Sequence, residues 1–299
     1  MILDCKKTEQ TILNNVKLDN ELLIAKGYEP CLALIRVLGD DASGNYVSRK
    51  TTACENTGLK HIYCEFPEDV SEETVSNKII ELNNDENVHA IILQLPLPKH
   101  LNEHKLINLI EPDKDVDCLT EKAIGRLYSG NGIAPCTPYG AIKVLETNGV
   151  DLTGKDALII NRSLLVGKPL VELLQRKNAT ATLAHSKTKN LKEKIMNADI
   201  VFTAVGIKNF ISYDELLVIN KKLKSLNKKL YIVDISINSL GVGRKICGDI
   251  ECNNTAERYK LEKLSNIYIT PVPGGIGTTT VASLLDNTIS LCINQIDIK

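Results

Sequence analysis

The segment DALIINRSLLVGKP, residues 156–169, joins an apolar run to a turn and to the start of a helical pattern. Residues 156–160 have the length and composition of a buried strand, and apolar residues recur at helical spacing from Gly167 to Lys177. A strand, a tight turn and a helix N-terminus bring backbone N–H groups and a positive dipole end together, where a pyrophosphate can bind. The strict glycine fingerprint of dinucleotide sites is absent. The turn by itself therefore fits an ordinary strand-to-helix loop as well as a dinucleotide site.

Strands and helices alternate on both sides of this segment. Further strands are predicted at 31–38, 62–66, 88–95, 181–184, 199–205, 230–235 and 266–270, and helices at 6–26, from Ser43 to a stop at Gly58, and at 71–84, 139–148, 189–197 and 277–297. This alternation is typical of a parallel sheet with helices on both faces. The 299 residues exceed the usual size of a single core. We therefore predict an α/β protein of two domains.

The composition restricts the class of partner. A formal net charge of −1 gives no basis for a nucleic-acid or anionic-membrane partner. No apolar run is expected to reach the ~20 residues that span a bilayer, and the N-terminal residues do not have the order of a signal peptide. The nine cysteines are scattered singly, without a CysXxxXxxCys pair. This pattern indicates reduced thiols in a cytosolic protein, with neither a metal site nor a disulfide framework.

The end of the strand at 181–184 bears on the choice of dinucleotide. An acid usually stands there in NAD-binding sheets, to bind the ribose hydroxyls. Here the chain has His185, Ser186 and Lys187, and Arg162 follows the neighbouring strand. These residues suit an anionic 2′-phosphate, which favours NADP over NAD. His185 fits a structural histidine equally well, and Asn161 is able to take the left-handed conformation of a glycine.

A lysine and an amide in the first half are candidates for catalysis. Tyr46 and Lys50 are four residues apart on a predicted helix, so they share one face. Gln94 ends the strand at 88–95, and ligands of parallel sheets gather at such ends. A desolvated amine can act as a base near neutral pH, and an amide can hold it without adding charge. The alternative is a solvated surface lysine, unless Tyr46, Gln94 and Asp117 converge on Lys50.

Two loops complete the candidate set. The carboxylate of Asp117 can accept two parallel hydrogen bonds from an amino-amidine edge such as that of a pterin, although Asp115 and Asp117 could equally cap a turn. In PVPGGIG, residues 271–277, prolines fix the chain and glycines let a flat ligand approach bare backbone.

Taken in order, these motifs resemble the bifunctional methylenetetrahydrofolate dehydrogenase/cyclohydrolase family over nearly the whole chain. The motifs are YVSRK (46–50), QLPLP (94–98), PDKDVD (112–117), PCTP (135–138), RSLLVGKP (162–169), HSKT (185–188) and PVPGGIG (271–277). The resemblance implies two α/β domains with a cleft between them, the second a Rossmann-like doubly wound parallel sheet. It implies a folate-binding catalytic domain of residues 1–136 plus helix 277–299, an NADP-binding domain of residues 137–276, and a homodimer built through the latter.

The resemblance also implies site residues. Lys50 is similar to the family's catalytic lysine, Gln94 to its hydrogen-bond partner, Tyr46 to the ring that stacks on the folate and Asp117 to the aspartate that holds the pterin. Further substrate contacts are implied for Leu95, Pro96, Pro273, Gly274 and Gly277, and cofactor contacts for Asn161, Arg162, Ser163, Ser186 and Ile237. No metal is implied.

The chain departs from the family pattern at a few positions. Asn161 and Ser236 stand where the family usually has glycine, both beside the dinucleotide. Cys118 replaces the glycine after Asp117, while Ala123, Thr278 and Thr279 replace an asparagine and a Pro-Met pair. All the proposed folate-side groups are retained.

The activity that the resemblance implies is NADP-dependent oxidation of 5,10-methylenetetrahydrofolate to the methenyl form and its hydrolysis to 10-formyltetrahydrofolate. This activity belongs to cytoplasmic one-carbon metabolism and purine biosynthesis. Three alternatives stay open from the residues: a monofunctional dehydrogenase, a reductase similar to shikimate dehydrogenase, and a non-catalytic folate- or nucleotide-binding regulator.

Overall fold

The computed structural model describes residues 1–39, 41–241, 246–251 and 255–297, with the side chains of 41–46, 255–258 and 297 left out. The helices are α1 (Cys5–Ala25), α2 (Asp41–Thr57), α3 (Glu72–Asn84), α4 (Glu103–Ile107), α5 (Glu121–Tyr128), α6 (Cys136–Thr147), α7 (Gly167–Arg176), α8 (Leu191–Asn197), α9 (Tyr213–Ser225), α10 (Thr255–Glu262) and α11 (Ile276–Asp297). The strands are β1 (Cys31–Val37), β2 (Lys60–Phe66), β3 (Ala90–Leu93), β4 (Asp156–Ile160), β5 (Thr180–Ala184), β6 (Ile200–Thr203), β7 (Leu230–Asp234), β8 (Asn238–Ser239), β9 (Ile246–Cys247) and β10 (Ile267–Ile269). The chain divides into two compact units, one of residues 11–136 with 281–299 and the other of residues 1–10 with 137–280.

The unit that contains residues 11–136 has a parallel sheet in the order β2-β1-β3. Strand β1 is apolar except for Arg36, because both of its faces are covered. Leu32 and Leu34 pack into a cluster with residues of α1 and α11, whereas Ala33 and Ile35 pack into a second cluster with residues of α3. The alternation of side chains along β1 thus joins two layers of helices to one sheet.

The unit that contains residues 137–280 has a five-stranded parallel sheet in the order β10-β7-β6-β4-β5. The chain passes from β4 outward to β5 and then returns to the other side of β4 for β6, β7 and β10. This reversal of direction is the doubly wound arrangement, in which ligands bind at the carboxyl ends of the strands. The predicted fold class is confirmed.

The first residues of the chain lie in the second of these units. Ile2 forms a parallel bridge with Ile269, and the N–H of Leu3 donates to the carbonyl of Ile269 at 2.9 Å. The domain boundary predicted from the sequence places these residues in the other domain. Their position differs because backbone pairing with the edge strand β10 needs no motif that a sequence pattern would display.

Helix α11 is more apolar than the sequence analysis expected. Residues Ile276–Ile296 are long and apolar enough to span a membrane by length and composition, so the expectation that no run approaches that length was wrong. The structure buries 67% of this window inside the fold, as in a core helix. Leu284, Leu285 and Ile289 are among its buried residues.

Candidate active site

Lys50 and Gln94 form a hydrogen-bonded pair at the carboxyl end of β3. Lys50 Nζ donates to Gln94 Oε1 at 2.8 Å, and the lysine is only 9% exposed. The amide of Gln94 is itself oriented, because its Nε2 donates to the carbonyl of Leu95 at 2.7 Å. Its backbone N–H donates to Ile35 on β1 at 2.8 Å. The sheet therefore fixes the amide, and the amide fixes the amine, which excludes the solvated surface lysine.

The environment of Lys50 favours its neutral form. Burial lowers the pKa of the amine below its usual value because the ammonium loses hydration. The charges of Asp117 and of Cys136 oppose this effect and raise the pKa, but burial is the larger cause. An amine of this kind can take up and release a proton closer to neutral pH than an exposed lysine can.

The carboxylates of Asp115 and Asp117, in one turn, have different roles. Asp115 is 2% exposed and accepts the N–H groups of Leu119 at 2.9 Å and Thr120 at 2.7 Å, so for Asp115 the capping interpretation is right. Asp117 is half-buried and interacts electrostatically with Lys50 and Cys136. Cys118 has a φ of 55°, the left-handed region that a glycine occupies without strain. The structure therefore brings Lys50, Gln94 and Asp117 together.

Three other predicted folate-side residues lie on or beside these elements. Tyr46 lies on α2 one turn before Lys50, and its side chain is outside the described residues. Leu95 is half-buried and Pro96 is exposed, directly after Gln94, and the peptide bond between them is cis.

The predicted loop at 271–277 follows β10 in the other unit. Gly274 has a φ of 87°, and a Cβ on Gly275 would lie 2.0 Å from the carbonyl oxygen of Pro271, so both positions need glycine. Pro273 is exposed. A Cβ on Gly277 would lie 3.4 Å from Ile237 Cδ1, which puts a predicted folate-side residue beside a predicted cofactor residue.

The turn between β4 and α7 is braced by its own side chains. Asn161 Oδ1 accepts the N–H groups of Ser163 at 2.7 Å and Gly167 at 3.0 Å, and its Nδ2 donates to Ala204 at 2.7 Å. Asn161 is not among the described residues with positive φ, so it does not use the left-handed conformation that the sequence analysis left open to it. Its side chain ties the turn together instead. Gly167 is required because a Cβ there would lie 2.2 Å from the carbonyl oxygen of Asn161.

Arg162 and Ser186 lie at the same edge of the five-stranded sheet. Ile160 of β4 pairs with Ala184 of β5, and each of the two exposed residues follows two positions later. His185 Nδ1 accepts the N–H of Lys187 at 3.2 Å, which supports the structural interpretation of this histidine. No carboxylate follows β5 in residues 185–187. A cation and a hydroxyl thus follow two neighbouring strands at the same edge of the sheet.

A buried carboxylate that the sequence analysis missed organises the neighbouring loops. Asp249 is completely buried and accepts hydrogen bonds from the N–H groups of Val205 at 2.8 Å and Ile207 at 3.0 Å. It also accepts the hydroxyl of Ser236 at 2.7 Å, and that hydroxyl accepts the N–H of Gly206 at 3.0 Å. One carboxylate and one hydroxyl therefore fix the loops that follow β6 and β7, next to Ile237. No motif or periodicity marked Asp249.

A second buried carboxylate, Asp234, makes the stability of this unit depend on pH. Burial raises its pKa from the usual 3.8 to about 7, although the N–H groups of Ile250 and Ser236 oppose the shift. Since the pKa in the folded state is raised above its value in the unfolded state, the free energy of unfolding is highest below pH ~4. It falls by roughly 4 kcal/mol in all as the pH rises through 7.

Urea unfolding of Asp234→Asn between pH 4 and 8 should lack this decline. Asp214→Asn, at an exposed position, should parallel the native chain, and parallel curves for all three proteins would contradict the assignment.

The chain matches two family models. Residues 3–117 match the catalytic domain of tetrahydrofolate dehydrogenase/cyclohydrolase, and residues 135–296 match the NAD(P)-binding domain of the same name. Among curated relatives, the bifunctional protein FolD of Nautilia profundicola is 38% identical over 294 residues, which cover 98% of this chain and 97% of that protein. The bifunctional protein FolD of Agathobacter rectalis is 37% identical, with 96% of each chain covered.

Solved structures agree with these matches. The bifunctional enzyme FolD, a methylenetetrahydrofolate dehydrogenase/cyclohydrolase from Campylobacter jejuni, has a TM-score of 0.87 and is 36% identical, with 99% of each chain covered. The N5,N10-methylenetetrahydrofolate dehydrogenase-cyclohydrolase of Trypanosoma brucei, in complex with NADP and an inhibitor, has a TM-score of 0.85. It is 28% identical, with 99% of this chain and 98% of that chain covered.

Proposed function

The chain belongs to the tetrahydrofolate dehydrogenase/cyclohydrolase family, and on that premise we propose which of its residues perform each part of the work. It is a bifunctional enzyme. It oxidises 5,10-methylenetetrahydrofolate to the methenyl cation with NADP and hydrolyses that cation to 10-formyltetrahydrofolate. The observation that carries the assignment of residues is the buried pair of Lys50 and Gln94, 2.8 Å apart and beside Asp117.

The residues after β4 and β5 fit NADP. The guanidinium of Arg162 and the hydroxyl of Ser186 can bind a 2′-phosphate, and residues 185–187 include no carboxylate to repel it. When bound, NADP supplies the acceptor for the hydride. Asn161, Ser163 and Ile237 are proposed to hold the remainder of the dinucleotide.

Hydride transfer needs orientation more than proton movement. The one-carbon bridge must face the hydride acceptor at close range, and positioning alone contributes several powers of ten to such rates. We assign this task to Tyr46, which would stack on the folate, and to Asp117, whose two oxygens match the amino-amidine edge of the pterin. Further contacts to the substrate are assigned to Leu95, Pro96, Pro273, Gly274 and Gly277.

Hydrolysis needs a group that moves protons, and we assign it to Lys50. Attack of water on the methenyl carbon releases a proton, and cleavage of the bond from that carbon to N5 requires a proton at N5. The hydroxyl of the adduct loses a second proton as the formyl group forms, so one proton is released in total. In its neutral form the amine of Lys50 accepts the first proton and delivers it to N5, while Gln94 holds the amine in place.

An absorbance assay tests the function as a whole. The protein is mixed with methylenetetrahydrofolate and NADP, and the methenyl band is followed. A bifunctional enzyme produces the band and then removes it faster than buffer alone. A monofunctional dehydrogenase would accumulate the band without accelerated decay, and a non-catalytic regulator would produce no band.

The selectivity for NADP should depend on Arg162. Arg162→Ala removes a charged hydrogen-bond donor, which corresponds to a loss of roughly tenfold or more in kcat/KM with NADP. The value with NAD should change little, because NAD has no 2′-phosphate. Arg176→Ala, on α7 and paired with Glu172 instead, is the matched control and should leave both values unchanged. Equal losses with the two dinucleotides would remove Arg162 from the phosphate site.

We also propose the division of labour along the chain and the assembly. Apart from its first residues, which pair with β10, the segment up to residue 136 binds folate together with helix 277–299, and residues 137–276 bind NADP. The protein forms a homodimer through its NADP-binding part and serves purine biosynthesis in the cytoplasm. The family resemblance supports these proposals. Light scattering of the purified protein tests the dimer, and a mass of a single chain at micromolar concentration would contradict it.

A further inference from the structure

Asn287 is a buried amide on α11 that bonds to the chain on both sides of the Asp117 turn. It is 5% exposed, and its Nδ2 donates to the carbonyls of Val116 at 3.0 Å and Ala134 at 2.9 Å. These two bonds use both hydrogens of the amide. Val116 immediately precedes Asp117, and Ala134 lies two residues before Cys136. One side chain of α11 therefore connects two segments that are both far from it in sequence.

Cys136 strengthens the same connection. Its thiol is 1% exposed, donates to the carbonyl of Val116 at 3.5 Å and lies 3.5 Å from Asn287 Nδ2. Its single hydrogen is shared between that carbonyl and the carboxylate of Asp117, and burial raises the pKa of the thiol well above its usual value. A thiol that keeps its proton remains a donor. The carbonyl of Val116 therefore receives two buried donors within one residue of Asp117.

Hydrogen bonds within the turn and to β3 hold part of this segment, because the N–H of Cys118 donates to the carbonyl of Asp115 at 3.4 Å and the N–H of Val116 to that of Ile91 at 3.5 Å. On one side of Asp117 the carboxylate of Asp115 is used for the N–H groups of Leu119 and Thr120. On the other side Cys118 has a φ of 55°, which costs a residue with a Cβ about 1 kcal/mol or more. A backbone in such a conformation persists only where its surroundings hold it. Asn287 and Cys136 are among the described residues that hold the backbone next to Asp117.

We propose that Asn287, with Cys136, is a positioning residue for Asp117: it fixes the Val116–Asp117 peptide so that the carboxylate meets the amino-amidine edge of the folate. This inference rests on the proposed function, in which Asp117 binds that edge. It assigns a role in substrate binding to a side chain that has no contact with the substrate.

The test is a split between KM and kcat. Asn287→Leu keeps most of the volume and removes both N–H donors. We expect the KM for methylenetetrahydrofolate to rise about tenfold, the KM for NADP to stay within twofold and kcat at saturation to fall less than threefold. Thr288→Val is the matched control, because Thr288 is also buried and, among the described residues, its hydroxyl donates to the carbonyl of Leu284 within the same helix, at 2.9 Å. It should leave all three constants unchanged.

Further variants distinguish a failure of the proposed role of Asp117 from a failure of the positioning role of Asn287. Asp117→Asn should raise the folate KM by itself, and adding Asn287→Leu to it should raise the KM less than the product of the two single effects. If Asp117→Asn has no effect, the proposed function of Asp117 fails. If Asp117→Asn raises the KM and a folded Asn287→Leu does not, or if Asn287→Leu raises the KM for NADP equally, the positioning role is overturned. Where Asn287→Leu does not fold, Asn287→Ser, too short to reach both carbonyls, is judged by the same criteria.

Discussion

Replacement of Lys50 by methionine should reduce the cyclohydrolase activity by at least two, and up to about four, powers of ten, the usual contribution of a positioned acid or base. Methionine preserves the length of the side chain and fits the buried site, but it cannot carry a proton. The dehydrogenase should keep a much larger share of its activity, because hydride transfer depends on orientation. The measurement is the decay of the methenyl absorbance with pure methenyltetrahydrofolate, beside the reduction of NADP in a separate assay.

The neighbouring cation on the same helix provides the control. Arg49 precedes Lys50 and is exposed, so Arg49→Met replaces a basic side chain on the same helix by the same residue without entering the site. Its two activities should match those of the native protein. Cyclohydrolase activity of Lys50→Met equal to that of the native protein would remove Lys50 from the mechanism.

Removal of the Asp249 carboxylate should produce the largest loss of stability. Asp249→Ala leaves the partly buried N–H groups of Val205 and Ile207, and the buried hydroxyl of Ser236, without their acceptor. Each unsatisfied buried group costs about 1–3 kcal/mol, so a total of roughly 3–5 kcal/mol is expected in urea unfolding. The affinity for NADP should fall as well, because the loops that Asp249 fixes adjoin Ile237.

An exposed carboxylate in the same unit separates this effect from a change of net charge. Asp214→Ala should change the stability by no more than about 1 kcal/mol. If Asp249→Ala unfolds at the same urea concentration as Asp214→Ala, the network around Asp249 does not stabilise these loops.

The sequence predicted the elements that have strong periodicity. Strand β4 was predicted with the observed bounds, and the helix predicted at 71–84 is α3, whose N-cap Ser71 accepts the N–H of Thr74 at 3.1 Å. The approach of Lys50 to Gln94 followed from two local rules, the position on a helix face and the end of a parallel strand. Helix α9 was largely missed, although its capping box of Ser212 and Glu215 could have revealed it.

The remaining parts of the site depend on long-range contacts. Asn287 lies 171 residues from Val116, and Asp249 lies 44 residues from Val205, so no local pattern connects them. Asn161 illustrates a second reason why part of the site was not predicted from the sequence. The sequence showed that its backbone could take the conformation of a glycine, but it did not show whether the turn would be stabilised by that conformation or by side-chain hydrogen bonds. Here the N–H groups of Ser163 and Gly167 were within reach of the side-chain oxygen.

The order in which the chain leaves the ribosome has a consequence for the β2-β1-β3 sheet. One face of β1, with Leu32 and Leu34, is covered partly by Leu285 and Ile289 of α11. Those residues are translated long after the strands, so a nascent or truncated chain that ends before Val281 keeps part of this apolar face open to water. Chaperones bind intermediates that expose apolar surface in this way. For the same reason, a fragment that joins residues 11–136 to 281–299 through a short linker is a better choice for expression than residues 11–136 alone.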